Sequence, residues 1–130
     1  METTTKEIQS LGMPWENEYG YAQAVKRGST AWLAGQVGHD ENGVLAVSMD
    51  DQVDLAYKNI KKLLAGFNMT MDDVIEEVLY VMDMNSAFQA RKNIGSKIYS
   101  NPKSVASTVI VVNGLALPGQ LIEIKIVAKR

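Results

Sequence analysis

Cysteine is absent from this chain, which excludes disulfides, thiolate metal sites and a cysteine nucleophile. Histidine occurs once, as His39, so no metal site built on several imidazoles can form, and a Ser-His-Asp triad would have to use that residue. His39 opens the turn-rich stretch His39-Asp40-Glu41-Asn42-Gly43 and reads as a solvated loop residue. A strong excess of either sign of charge is also lacking. The formal charge of -2 speaks against an electrostatic grip on phosphates, so nucleic acid is not an expected partner. Met1 to Ser10 mixes polar, acidic and basic residues without an apolar centre, so neither a secretory signal nor a membrane-spanning helix is read there. A cytoplasmic location without a membrane partner is the expectation. The glycines are too scattered for a phosphate loop, and no cofactor or metal is expected.

What is present is an ordinary globular composition, 46% hydrophobic and 22% charged. A chain of 130 residues fits one domain, 1–130, able to bury about two-thirds of its unfolded surface. Tyr21 to Lys26 and Thr30 to Gln36 read as a hairpin around Arg27, Gly28 and Ser29. Ser48-Met49-Asp50-Asp51 has capping-box form, and Val53, Ala56, Tyr57, Ile60, Leu63 and Leu64 follow at helical spacing up to Gly66. Thr70 to Asp73 repeats the cap signal before a strand-like Val78 to Met82. A second helix, capped by Asn85 or Ser86 and carrying Phe88, Arg91, Ile94 and Ile98, is ended by Asn101-Pro102. Ser107 to Val112 is the next strand, and turns at Asn113-Gly114 and Pro118-Gly119 lead into the last, Leu121 to Ala128. The expected fold is α+β in the order ββαβαββ.

Right-handed βαβ crossovers put both helices on one face of such a sheet. Yet Ala31 to Ala34, Val78 to Met82 and Val109 to Val112 are apolar at successive positions, as in strands covered on both sides. A second apolar face without a helix predicts homo-oligomerisation through the sheets. In the last strand, Ile122, Ile124 and Ile126 share one side, which leaves Glu123 opposite with Leu121, Lys125 and Val127. A carboxylate there either reaches solvent beside Lys125, or is partly dehydrated and able to exchange protons near neutrality.

The stretches GYAQAVKRGSTAWLAGQVGHDENG, DDQVDLAYKNIKKLLAGFNMTMDDVIE, YVMDMNSAF and STVIVVNGLALPGQLIEIKIVA together resemble the RidA family, also called YjgF, over about residues 19 to 129. The resemblance implies a chorismate-mutase-like fold and a homotrimer with clefts between subunits. In active members those clefts hydrolyse 2-imino or 2-enamino acids to 2-keto acids and ammonia. It further implies that Tyr21 flanks the substrate from a neighbouring subunit, that the Gly35 backbone approaches it, and that Glu123 orients or activates water. Thr108 takes a small polar position often filled by cysteine, next to the hydroxyl residue Ser107. The stretch from Val111 to Pro118 is longer than in the best-known deaminases.

One part of the pattern is missing. Deaminating members carry an arginine that binds the substrate carboxylate bidentately, and Ala106 stands in its position. Arg91, Lys92 and Lys103 are the basic residues nearby, and burial statistics read all three as solvated charges. The functional expectation is a small-metabolite cleft that hydrolyses an imine or enamine in a variant site, with a non-catalytic ligand-binding or regulatory role as the alternative. An endoribonuclease or translation-inhibitor role would need a basic or aromatic strand-binding surface and is disfavoured by the acidic composition. Each site residue also has a purely structural reading: Tyr21 as a hairpin end, Gly35 as a bulge, Trp32 as core or interface.

Overall fold

Alternating apolar residues build the centre of the sheet. The structure, a computed structural model, describes residues 5–130, so the first four residues of the polar N-terminal stretch lie outside the described residues. In chain order the elements are β1 (Glu7–Gln9), α1 (Pro14–Tyr19), β2 (Ala24–Arg27), β3 (Thr30–Gln36), α2 (Met49–Ala65), β4 (Val74–Val81), α3 (Met84–Ile98), β5 (Ala106–Val111) and β6 (Ile122–Lys129). The strands form one sheet ordered β1-β2-β3-β6-β4-β5. Only the β4–β5 pair is parallel, as a helical crossover requires. The fold is α+β as expected, but β1 and α1 precede the expected ββαβαββ order.

Both long helices lie on one face, α2 against β3 and β6, and α3 against α2 and β5. Leu33, Leu79, Ile122, Ile124 and Ile126 point into that layer and are fully buried. Each such side chain contributes roughly 1.5–3 kcal/mol by leaving water. Every apolar position that helical spacing assigned to α2 is buried, from Val53 to Leu64. Ser48 caps this helix by accepting the Asp51 N–H at 3.1 Å. The cap of α3 is Asp83, not Asn85 or Ser86: its carboxylate accepts the Ser86 N–H at 2.9 Å. An ionised acid at that end also faces the positive pole of the helix, which a serine or asparagine would not exploit. The helix stops at Ile98, before Asn101-Pro102, because Tyr99 turns extended and buries its ring.

Neither long helix covers the opposite sheet face. Trp32 pairs with Val127 on it, and Tyr80 with Glu123. Trp32 is 45% exposed and Ile110 42%, so within one chain Trp32 is not core. Among the described residues no helix is long and apolar enough to cross a membrane.

Candidate active site

The cavity at the end of β3 begins with a helix that apolar periodicity does not reveal. Pro14 sits in the first turn of α1, where its missing N–H costs nothing, and Gly20 ends the helix at φ 70, a left-handed conformation glycine adopts freely. These two punctuation marks were the available signal. Glu16 on α1 is buried. Its carboxylate accepts the Ser10 hydroxyl at 2.6 Å, the Leu11 and Met13 N–H groups at 3.2 and 3.0 Å, and the Gln23 amide at 3.2 Å. Burial works to raise its pKa, but these donors outweigh it and hold the carboxyl below its ordinary value. Gln23 in turn accepts from the Gln36 amide at 2.9 Å. A buried acid thus fixes, through two glutamines, one wall of the cavity.

The cavity has a volume of about 260 Å³. Trp15 and Tyr19 from α1 line it together with Tyr21, Gly35 and Glu123. Tyr21 lies before β2 rather than in it, so the expected hairpin begins at Ala24. Partial burial raises the Tyr21 phenol above its ordinary pKa. The charges of Glu16 and Glu123 add to the rise, while the Gln23 and Trp15 side chains offset part of it.

Gly35 and Glu123 are coupled by contact. The β3–β6 register shifts between Leu33 and Gln36, and a Cβ built on Gly35 would stand 2.3 Å from Glu123 Oε2. Gly35 is therefore both the bulge glycine and the bed on which the Glu123 side chain lies. The expectation that Glu123 shares the face away from Ile122 and Ile124 holds, and Glu123 is partly exposed at the cavity.

His39 is not a solvated loop residue. It is 2% exposed, meets Trp15 edge-on with ring centroids 5.2 Å apart, and lines the same cavity. Its Nδ1 lies 2.8 Å from the Asp40 carbonyl, which can only accept, so that nitrogen donates. The turn chemistry at Asp40 to Gly43 is real, but a bridge from His39 to Leu45 folds the stretch back on itself. From the longer segment before Pro118, Ala116 and Leu117 complete the lining.

Ser107 and Thr108 lie elsewhere. Thr108 shares with Glu123 the face that neither long helix covers but stands across β4 on the far edge strand, two strand spacings or about 10 Å to the side and two residues further along. Ser107 points to the helix side, where its hydroxyl donates to Glu77 at 2.6 Å. Within the chain it is not brought together with Glu123. Glu77 also accepts the hydroxyls of Tyr57 and Tyr99 at 2.6 and 2.7 Å, and the Nε of Arg91 at 2.8 Å. Burial opposes ionisation of this fully buried carboxyl, but the four donors hold its pKa below the ordinary value. The two tyrosines shift upward, by burial first and then by the Glu77 charge. Arg91 is thus not a solvated charge: it pairs with Glu77 and lies over the Tyr99 ring, 5.4 Å from its centroid. Lys92 and Lys103 are exposed.

The family profile described as Endoribonuclease L-PSP matches residues 15–130. The chain is 31% identical over 112 residues to the RutC family protein YjgH of Escherichia coli, covering 86% of this chain and 84% of that protein. It is 28% identical over 91 residues to a 2-iminobutanoate/2-iminopropanoate deaminase of Dermatophagoides farinae, covering 68% and 70% of the two chains. Among solved structures, Rv2704 of Mycobacterium tuberculosis, a member of the YjgF/YER057c/UK114 family, superposes with a TM-score of 0.85 at 24% identity, covering 97% of this chain and 100% of that one.

Proposed function

The chain belongs to the endoribonuclease L-PSP family, also called YjgF or RidA, and from that premise we propose that its cavity hydrolyses the C=N bond of a small imine, or of the enamine that tautomerises to it. The observation that carries this reading is the carboxylate of Glu123, laid over Gly35 at the rim of a cavity shared with Tyr21. A carboxylate there serves as general base. Water adds to the imine carbon while Glu123 takes one of its protons, and the C=N electron pair moves onto nitrogen. The carboxylic acid then returns that proton to nitrogen to give a carbinolamine, and transfer of the carbinolamine hydroxyl proton to nitrogen through Glu123 as the C–N bond breaks leaves a carbonyl compound and ammonia. The Tyr21 phenol, kept protonated by its surroundings, remains a hydrogen-bond donor throughout.

The open sheet face supports a further element of the proposal, a homotrimer in which copies of the chain cover Trp32, Ile110 and Tyr80. Thr108 would then reach a cleft from a neighbouring copy. Ala106 favours a second reading, ligand binding without hydrolysis, because the position holds no guanidinium to clamp a substrate carboxylate. The two readings separate in a coupled assay. Imines are generated in place, 2-iminobutanoate by a dehydratase and a carboxylate-free imine by an amine oxidase, and their decay is followed against solvent hydrolysis. Acceleration of either, reduced about 10³-fold in Glu123→Gln, is the expected outcome. No acceleration of both by the wild type overturns hydrolysis and leaves the binding role.

A further inference from the structure

The charges around the cavity have one sign. Its lining holds one carboxylate side chain, Glu123, and neither arginine nor lysine, and its imidazole, His39, is tied to the Asp40 carbonyl and packed edge-on against Trp15. Glu16, buried behind Gln23, is the second charge acting on the Tyr21 hydroxyl, and it too is a carboxylate. The nearest base along β6, Lys125, faces Val78 across the strand and is not part of the lining. Of the bases near the missing anchor in sequence, Arg91 is committed to Glu77 on the other face of the sheet, and Lys92 and Lys103 are exposed and outside the lining. The remaining surfaces are the aromatic rings of Trp15, Tyr19 and Tyr21 and the carbonyl-bearing amides of Gln23, Gln36 and Gln120. Aromatic faces and a carboxylate attract a cation and repel an anion.

We propose that this cavity takes a small organic cation lacking a carboxylate, an iminium or primary ammonium group seated between Glu123 and the rings of Trp15, Tyr19 and Tyr21. The inference rests on the hydrolytic reading above for its chemistry, though not for its binding. If the cation is an iminium, the balanced reaction is R₂C=NH₂⁺ + H₂O → R₂C=O + NH₄⁺. The positive charge beside Glu123 keeps the carbon electrophilic where a neutral imine would react sluggishly. The missing arginine is then no defect, because such a substrate has no carboxylate to hold.

Calorimetric titration of the full chain with three probes of one shape tests this without any turnover: benzylammonium, benzyl alcohol and benzoate. Benzylammonium is expected to bind at least about tenfold more tightly than benzyl alcohol, with benzoate weakest, as a desolvated ion pair and cation–π contacts would produce. Glu123→Gln and Trp15→Leu are each expected to erase most of the preference while leaving the chain folded by circular dichroism. Benzoate binding as tightly as benzylammonium, or no saturable binding of the cation at millimolar concentration, overturns the proposal. Imine hydrolysis by the same preparation reports separately: activity with 2-iminobutanoate but no cation preference sinks this inference and spares the hydrolytic reading. Cation binding without any hydrolysis does the reverse.

Discussion

Glu77 on β4 and Glu123 on β6 occupy neighbouring strands of one sheet, and each stands among apolar residues. Glu77 turns toward α2 and α3, where two tyrosines, a serine and an arginine donate to it. Glu123 turns toward the cavity and, among the described residues, receives no comparable set of donors. Four charge-assisted bonds make a carboxylate a structural anchor, because any reaction at it would first have to break them. A carboxylate without them retains its lone pairs for water and substrate. The same side chain, one strand apart, thus serves stability in one case and, in the function proposed above, chemistry in the other.

That contrast predicts opposite phenotypes for the same substitution. Glu77→Gln leaves the Arg91 charge without its counter-ion and sets an amide NH₂ among hydroxyl donors, so denaturant unfolding should show a loss of about 3–5 kcal/mol. Glu123→Gln should leave the denaturation midpoint within error of the wild type. A stable Glu77→Gln protein, or a Glu123→Gln protein destabilised as much, would erase the distinction between the two sites.

Gly35→Ala sharpens the contrast within the cavity. The new methyl would collide with the Glu123 carboxylate, the far end of a flexible side chain, and the Gly35 backbone lies outside the left-handed region, so alanine fits its conformation. The carboxylate should swing away while the fold survives. A shift of about 1 Å in a catalytic group can cost up to ~10²-fold, so kcat/KM for an accelerated imine should fall between roughly tenfold and a hundredfold with little change in Tm. Unchanged kcat/KM in a folded Gly35→Ala protein would mean that the position of Glu123 over Gly35 does not matter to turnover.

The face assignment of Glu123 was legible because strand periodicity is local: Ile122, Ile124 and Ile126 leave it no other side. The α2 helix was legible for the same reason, its cap and stripe lying within one stretch of chain. Glu77 was not, although it sits in a similar pattern, Val74-Ile75-Glu76-Glu77-Val78. Which of two adjacent acids is buried depends on donors supplied from Tyr57, Arg91, Tyr99 and Ser107, residues that only tertiary packing brings together. Arg91 was read as a solvated charge by that same omission, and the bond from Ser107 to Glu77 went unseen with it. His39 and α1 were hidden differently. Six residues are too short for a readable apolar stripe, and without α1 there is no Trp15 against which to bury the imidazole.

The smallest effect concerns acid. In the fold the Glu77 carboxyl is held below its ordinary pKa, and so is that of Glu16, in both cases by donors that outweigh burial. The unfolded chain therefore binds these protons more tightly than the folded chain does. The stability they contribute is complete above the unfolded carboxylate pKa, about 4.3, and is lost as pH falls through the lower folded values. Urea midpoints taken downward from pH 7 should accordingly be flat, as far as these two acids are concerned, until about pH 5 and decline below it. In Glu77→Gln the decline should be shallower but still present, the remainder belonging to Glu16 and to the Asp83 cap, which the Ser86 bonds also hold below its ordinary value, and Glu16→Gln should remove the Glu16 part. If both single variants keep the full wild-type slope, neither carboxylate is ionised against its donors as the geometry describes, and the contrast between a sealed Glu77 and an available Glu123 loses its electrostatic basis.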